Sequence, residues 1–281
     1  NIIVVGAYWE DGSGVGVNST NQADNSAIDS GAAYVYEKQM NGEWIFTTYL
    51  KANNTGSYDN FGLSVDVNDK WIVVGAYFED SSSQSDPNDN NLSNSGAVYL
   101  YSHNPSTTPS NIEFHSYLKA INPQQDAHFG FSLALYEDWL LVGAHQENSN
   151  SIGIDGNPFN TDATNTGSAY LFKFDSSLDE WIFYHYLKSD DKDPARGDGE
   201  FFGFSVSLWS DSSQVIALVG APHMDSLGNR AGSAFIFHFP SDYPPAAIIT
   251  GEISFTTVEV TTESTTAEEQ TTGEQTTVQD G

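Results

Sequence analysis

Carboxylates are the most abundant candidates for chemistry in this 281-residue chain, and they crowd together once, at Asp190, Asp191, Asp193, Asp198 and Glu200. Oxygen donors at that density suit a hard cation such as calcium. A second set, Asp11, Asp80, Asn148 and Asp225, recurs five residues beyond a repeated glycine. Both sets have an ordinary alternative, because Asp and Asn in loops close Asx turns and cap backbone amides. An EF-hand reading fails: "DPNDNN" (86–91) puts Asn91 where that loop needs glycine, and no Glu follows at its end.

Nucleophiles and bases are scattered. Cys is absent, which removes disulfides, thiolate catalysis and Cys-ligated zinc together. The seven His fall singly, and no G-x-S-x-G elbow occurs. "GSGVG" (12–16) is followed by no apolar helical stripe, so a dinucleotide-binding reading fails. No acid is paired with a base at one asymmetric position; no catalytic residue or cofactor is assigned, and the chain reads as a non-enzyme. Lys51, Lys119 and Lys188 are three of only nine basic residues and end the same motif each time. They are expected to neutralise nearby carboxylates, at under ~1 kcal/mol each if exposed. Asn18, Asn53 and Asn91 open N-x-S/T sequons, glycosylation acceptors in a secretory setting.

The elements that must position these residues repeat. "IIVVGAY", "WIVVGAY", "WLLVGAH" and "IALVGAP" place Gly6, Gly75, Gly143 and Gly220 at the ends of apolar runs. "SGAAYVY", "SGAVYLY", "TGSAYLF" and "AGSAFIF" follow, then "WIFTTYLK", "IEFHSYLK" and "WIFYHYLK", then "FGLSVDV", "FGFSLAL" and "FGFSVSL". Short β-branched and aromatic runs between Gly/Asn/Asp/Ser segments predict strands, four per period of ~70 residues, and an all-β fold. The VVGA strand is apolar at every position, so both its faces must be covered. The YLK strand alternates, with Trp44, Phe46, Thr48 and Leu50 opposite Ile45, Thr47 and Tyr49. That gradient from covered inner strands to an exposed outer strand describes a four-stranded antiparallel β-propeller blade; a two-sheet sandwich ranks second. The repeated Ser64, Ser132 and Ser205 sit inside the FG strand and read as structural.

These motifs, in this order, resemble FG-GAP repeats, which form the propeller at the head of integrin α chains and of many bacterial and protist surface proteins. The resemblance covers residues 1 to about 239 and rests on Phe61-Gly62, Gly75-Ala76, Phe129-Gly130, Gly143-Ala144, Phe202-Gly203 and Gly220-Ala221. It implies a β-propeller and a role in surface binding or adhesion. It also implies calcium, held in integrin-type blades by a D-x-[DN]-x-D-G-x-x-D loop between the FG and VGA strands. The matching positions here, "NDK" (68–70), "YED" (136–138) and "SDSSQ" (210–214), are too short to wrap an ion. Arg196-Gly197-Asp198 is the tripeptide that integrins recognise, and is a further adhesion candidate. The glycines themselves are expected to be architectural, letting one blade's backbone approach the next.

In an antiparallel blade, successive connections alternate ends. The VGA-to-SGA loops (7–30, 76–95, 144–166 and 221–231) and the YLK-to-FG loops (52–60, 120–128 and 189–201) therefore share one face, which holds 19 of the 38 acids. Long loops on a rigid scaffold are where binding resides, so this face is expected to meet a protein or glycan ligand. A net charge of −29 argues against nucleic acid and anionic membrane, and no apolar stretch is long enough to span a bilayer.

The expected organisation is a propeller segment over residues 1–245, about three and a half blades of a larger, seven-bladed ring. A last strand is expected at 246–255, then a Thr/Glu-rich disordered or O-glycosylated stalk at 256–281. Further blades or a second copy are needed to close the ring. The preferred function is an extracellular or cell-surface binding module. The alternatives are a structural repeat of an extracellular filament or matrix, and an accessory propeller of a larger enzyme.

Overall fold

The computed structural model describes residues 1–20, 22–107, 109–190, 199–224, 231–242 and 244–245. Among them are fourteen strands and no helix. The first sheet holds β1 (Ile2–Ala7), β2 (Ala32–Lys38) and β3 (Trp44–Leu50). The second holds β4 (Phe61–Val67), β5 (Trp71–Ala76), β6 (Ala97–Asn104) and β7 (Asn111–Leu118). The third holds β8 (Ser132–Tyr136), β9 (Trp139–Ala144), β10 (Ser168–Asp175) and β11 (Glu180–Leu187). The fourth holds β12 (Ser205–Ser210), β13 (Gln214–Ala221) and β14 (Ser233–Pro240). Each sheet is an antiparallel meander in chain order.

How the sheets meet follows from the apolar runs. Side chains of a strand alternate between faces, and β5 sends its two sets into different cores. Ile72 and Val74 pack with Val35 and Leu50 of the first sheet, whereas Trp71 and Val73 pack with Leu140 and Val142 of the third. A third core joins the third and fourth sheets, with Leu141 and Leu171 against Val215, Ala217 and Phe237. Sheets stacked face to face in series are the blades of an incomplete β-propeller. β5 and β9 are buried at every position, while β1 leaves Ile3 and Val5 exposed and β13 leaves Leu218 exposed. The two outer sheets show the same composition with a neighbour on one side only.

Close approach between blades explains the glycines. A Cβ on Gly75 or Gly143 would collide with the carbonyl oxygen of Gly130 or Gly203 in the next blade, and with Oγ of Ser64 or Ser132. Those serines donate across the same junctions, Ser64 Oγ to the Gly130 carbonyl at 2.6 Å and Ser132 Oγ to the Gly203 carbonyl at 2.7 Å. Phe61, Phe129 and Phe202 plug the gaps and are fully buried. Their amides donate to the carbonyls of Ser30, Ser95 and Thr166 in the preceding blade, each at 3.0 Å.

Strict alternation in the YLK strand does not hold. The β2–β3, β6–β7 and β10–β11 registers each slip by one residue, leaving Thr47, His115 and Tyr184 without a partner in the ladder. Such a bulge moves the residues beyond it to the other face. Past the bulge Thr48, Tyr49 and Leu50 are all buried, so this end of the strand is covered on both faces.

Candidate binding face

Hydrogen bonds fix which connections share an end. The loop after β1 pairs with the end of β3 through Gly16 N to Ala52 O (3.2 Å) and Lys51 N to Gly16 O (3.0 Å). The loop after β9 does the same with β11, through Lys188 N to Gly153 O (2.8 Å) and Gly153 N to Ser189 O (3.0 Å). At the other end lie short turns, where His103 N donates to Lys70 O (2.7 Å) and Phe174 N to Asp138 O (2.8 Å). The long connections therefore emerge on one face.

Buried ion pairs anchor that face. Lys51, Lys119 and Lys188 are inside, with side chains at most 2% exposed, so the small value of an exposed pair does not apply to them. Each binds a glutamate four residues past the VGA glycine: Lys51 to Glu10 at 3.0 Å, Lys119 to Glu79 at 2.9 Å and Lys188 to Glu147 at 3.1 Å. Each also donates to a hydroxyl opening the next strand, Ser30, Ser95 or Thr166, at 2.6–2.7 Å. An amide from the preceding loop completes the site. Asn54 Nδ2 donates to Glu79 (3.0 Å) and Asn122 Nδ2 to Glu147 (3.0 Å), and their carbonyls accept from Tyr99 and Tyr170. Burial holds all three lysines below their usual pKa, and the glutamates oppose that shift. These glutamates are absent from the candidates read in the sequence. Their spacing from Gly6, Gly75 and Gly143, in step with the three lysines, is the signal that identifies them.

Nearer the inner strands, rings form a continuous patch. Tyr77 and Phe78 pack on His128, His128 on His145, and His145 on Phe131 and Phe204. Further out, the long loops expose Trp9, Val15, Ile28, Tyr58, Ile152 and Phe159 to water. A polar cleft of about 590 Å³ separates the second and third blades at their outer edge, lined by Asn53, Gln84, Asn88, His115, Asp179 and Trp181 among others.

The sequence pattern of the FG-GAP repeat family matches residues 44–101 and 115–172, spans that run through the second and third blades. The chain contains FG-GAP repeats at these two positions. No curated protein matched it.

In this FG-GAP chain the turns between the FG and VGA strands do not fit the family's calcium loop. Asn68 Oδ1 is taken by the amides of Lys70 and Trp71, and Lys70 Nζ reaches Asp138 of the next blade at 2.9 Å. Asp211 Oδ1 likewise accepts Ser213 N and Gln214 N. Asp11, Asp80 and Asn148 close their loops by accepting the amides of Asp29, Asn94 and Asn165 at 2.8–2.9 Å. Among the described residues no group of three or more His, Asp or Glu is placed to hold a metal ion. Of the acidic cluster, Asp190 is exposed and Glu200 is buried, accepting from Ser189 Oγ at 3.0 Å. Asp191, Asp193, Asp198, the Arg196-Gly197-Asp198 tripeptide and Asp225 lie outside the described residues, as do positions 246–281. Asn18, Asn53 and Asn91 are all exposed, and Asn18 Oδ1 accepts Tyr49 N at 3.0 Å.

Asp59, buried on this face, has its pKa pushed up to about 7 by desolvation, with Glu79 and Asp80 adding to the rise and the Gly56 amide and Lys51 opposing it. A raised carboxyl pKa means that the folded chain holds a proton the unfolded chain has released. The stability this contributes is present below about pH 4 and is lost as pH rises toward 7. We expect Asp59→Asn to be nearly neutral at pH 4. Its advantage over the parent should then grow by about 1.4 kcal/mol per pH unit up to pH ~7, as read by urea denaturation; a constant difference across that range would contradict it.

Proposed function

We propose that this FG-GAP chain is an extracellular or cell-surface binding module, not an enzyme, and that its long-loop face meets a protein or glycan ligand. One observation carries the reading: the exposed large apolar side chains of the connections concentrate on that face. Trp9, Val15, Ile28, Tyr58, Ile152 and Phe159 stand there, against Met40 and Leu178 in the short turns at the other end. Exposed aromatics rimmed by polar residues mark interaction sites. No helix among the described residues is long and apolar enough to cross a membrane.

The test is a multivalent form of the chain on printed glycans and on immobilised extracellular-matrix proteins. Trp9→Ser, Tyr58→Ser and Phe159→Ser together should lower binding at least tenfold with an unchanged melting temperature. Full binding by the triple variant would refute the assignment of the face. A loop excision between 144 and 166 must spare Glu147 and Thr166, which anchor the scaffold. The exposed Ile3, Val5 and Leu218 favour a second element, that further blades or a second copy cover the two outer sheets.

A further inference from the structure

The outer strands of the first and third blades carry a short covering segment that the second blade lacks. In the first blade Val17 bridges Leu50, Lys51 N donates to Gly16 O, and Asn18 N to Tyr49 O at 2.7 Å. Asn18 Oδ1 accepts the Tyr49 amide in return. In the third blade Ile154 bridges Leu187, Lys188 N donates to Gly153 O, and Asp155 N to Tyr186 O at 2.8 Å. Asp155 Oδ1 accepts the Tyr186 amide at 2.9 Å. Gly16-Val17-Asn18 and Gly153-Ile154-Asp155 thus share one pattern, a Gly, then Val or Ile, then Asn or Asp.

β7 keeps the same register, with Tyr117 opposite Tyr99 as Tyr49 is opposite Tyr34 and Tyr186 opposite Tyr170. The amide and carbonyl of Tyr117 and the amide of Lys119 therefore point outward too. Among the described residues nothing outside the sheet bonds to them. The loop is too short to reach. Between Ser149 and Pro158 the third blade has "NSIGIDGN" (150–157), whereas between Ser81 and Pro87 the second has only "SSQSD" (82–86). Both loops are anchored alike at the far end, Asn54 Nδ2 donating to Pro87 O at 2.6 Å and Asn122 Nδ2 to Pro158 O at 2.7 Å. The cleft of about 590 Å³ takes the place of the missing segment, with Ser116, Tyr117 and Leu118 on one wall and Gln84, Pro87 and Asn88 on the other. Ser116 is half-buried, where its counterparts Thr48 and His185 are at most 3% exposed.

We propose that this edge receives an extended peptide of a partner protein, added antiparallel to β7 with a Gly-[Val/Ile]-[Asn/Asp] segment along Tyr117–Lys119. An open strand edge is a template for such addition, and main-chain hydrogen bonds supply the hold. The Asn or Asp side chain accepts the Tyr117 amide, as Asn18 and Asp155 do for their tyrosines. The inference rests on the reading of the chain as a protein-binding module. The occupant is another protein, because the two segments of this pattern in the chain, 16–18 and 153–155, are already engaged.

Amide exchange in the full chain tests this, with a synthetic peptide of residues 149–158 as the probe. In the free chain the Tyr117 and Lys119 amides should exchange at least about tenfold faster than those of Tyr49, Lys51, Tyr186 and Lys188. Millimolar peptide should slow them at least about tenfold. The same peptide with Asp155→Pro, which loses both a donor and the side-chain acceptor, should leave them unchanged. A chain carrying "NSIGIDGN" in place of 82–86 closes its own edge and should not respond to the peptide. The Trp9→Ser, Tyr58→Ser, Phe159→Ser chain should respond as the parent does, so the loop-face reading and this one fail separately. Slow exchange at Tyr117 and Lys119 in the free chain would overturn the proposal, as would equal slowing by both peptides or by neither. Protection that grows with protein concentration would seat a second copy on the edge and overturn it too.

Discussion

Lys119→Met should destabilise the folded chain by about 3–5 kcal/mol, the cost of leaving a buried carboxylate without its counter-charge. Glu79 is 1% exposed, and water cannot replace the ammonium it loses. The remaining donors to Glu79, Asn54 Nδ2 and the Ser81 amide, are neutral. Removing the carboxylate as well should recover most of the loss. In Lys119→Met/Glu79→Met/Ser95→Ala the second blade takes on the composition that the fourth already has at Met224 and Ala231. Buried pairs exchanged for apolar groups of similar volume are commonly neutral in stability. Guanidinium denaturation of the single and triple variants reads the coupling, which should exceed about 2 kcal/mol. A single variant within 1 kcal/mol of the parent would mean that the pair is solvated and does not hold the loop.

Gly143→Ala is the second large effect. Its new methyl group would lie on the Gly203 carbonyl of the fourth blade as well as on Ser132 Oγ. Adding Ser132→Ala relieves only the second collision, so the pair of changes should still cost more than about 4 kcal/mol or prevent folding. Gly220 provides the contrast. The three atoms closest to its added Cβ all belong to Ser205 of its own blade, with Oγ the nearest. Gly220→Ala with Ser205→Ala should therefore lie within about 1 kcal/mol of the parent. Equal penalties at the two glycines, measured by thermal and chemical denaturation, would mean that each serves only its own strand.

Much of this was legible in the sequence because repetition multiplies weak signals. The all-apolar "WIVVGA" and "WLLVGA" require two covers, and β5 and β9 have them. Connection lengths, read with antiparallel parity, placed the long loops at one end. The lysines were harder. Lys51, Lys119 and Lys188 end a strand on the acidic face, where a charge is usually solvated. Their burial depends on Glu10, Glu79 and Glu147, some 40 residues away and brought near only by β pairing. The information was present as a joint absence, since the fourth repeat drops its glutamate and its hydroxyl together. The bulges at Thr47, His115 and Tyr184 left no such trace, because a one-residue slip changes which face is buried without changing composition. The aromatic patch from Tyr77 to Phe204 draws on residues from three blades and has no local pattern.

The central claim is that alternate residues of one strand are buried against two different neighbours. Methyl-labelled NMR of the intact chain tests it at β5. Ile72 and Val74 should show cross-peaks to Val35 and Leu50 of the first sheet, and Val73 to Leu140 and Val142 of the third. Cross-peaks from all three residues to a single neighbouring sheet, with the other face open to water, would replace the stacked blades with a two-layer sandwich.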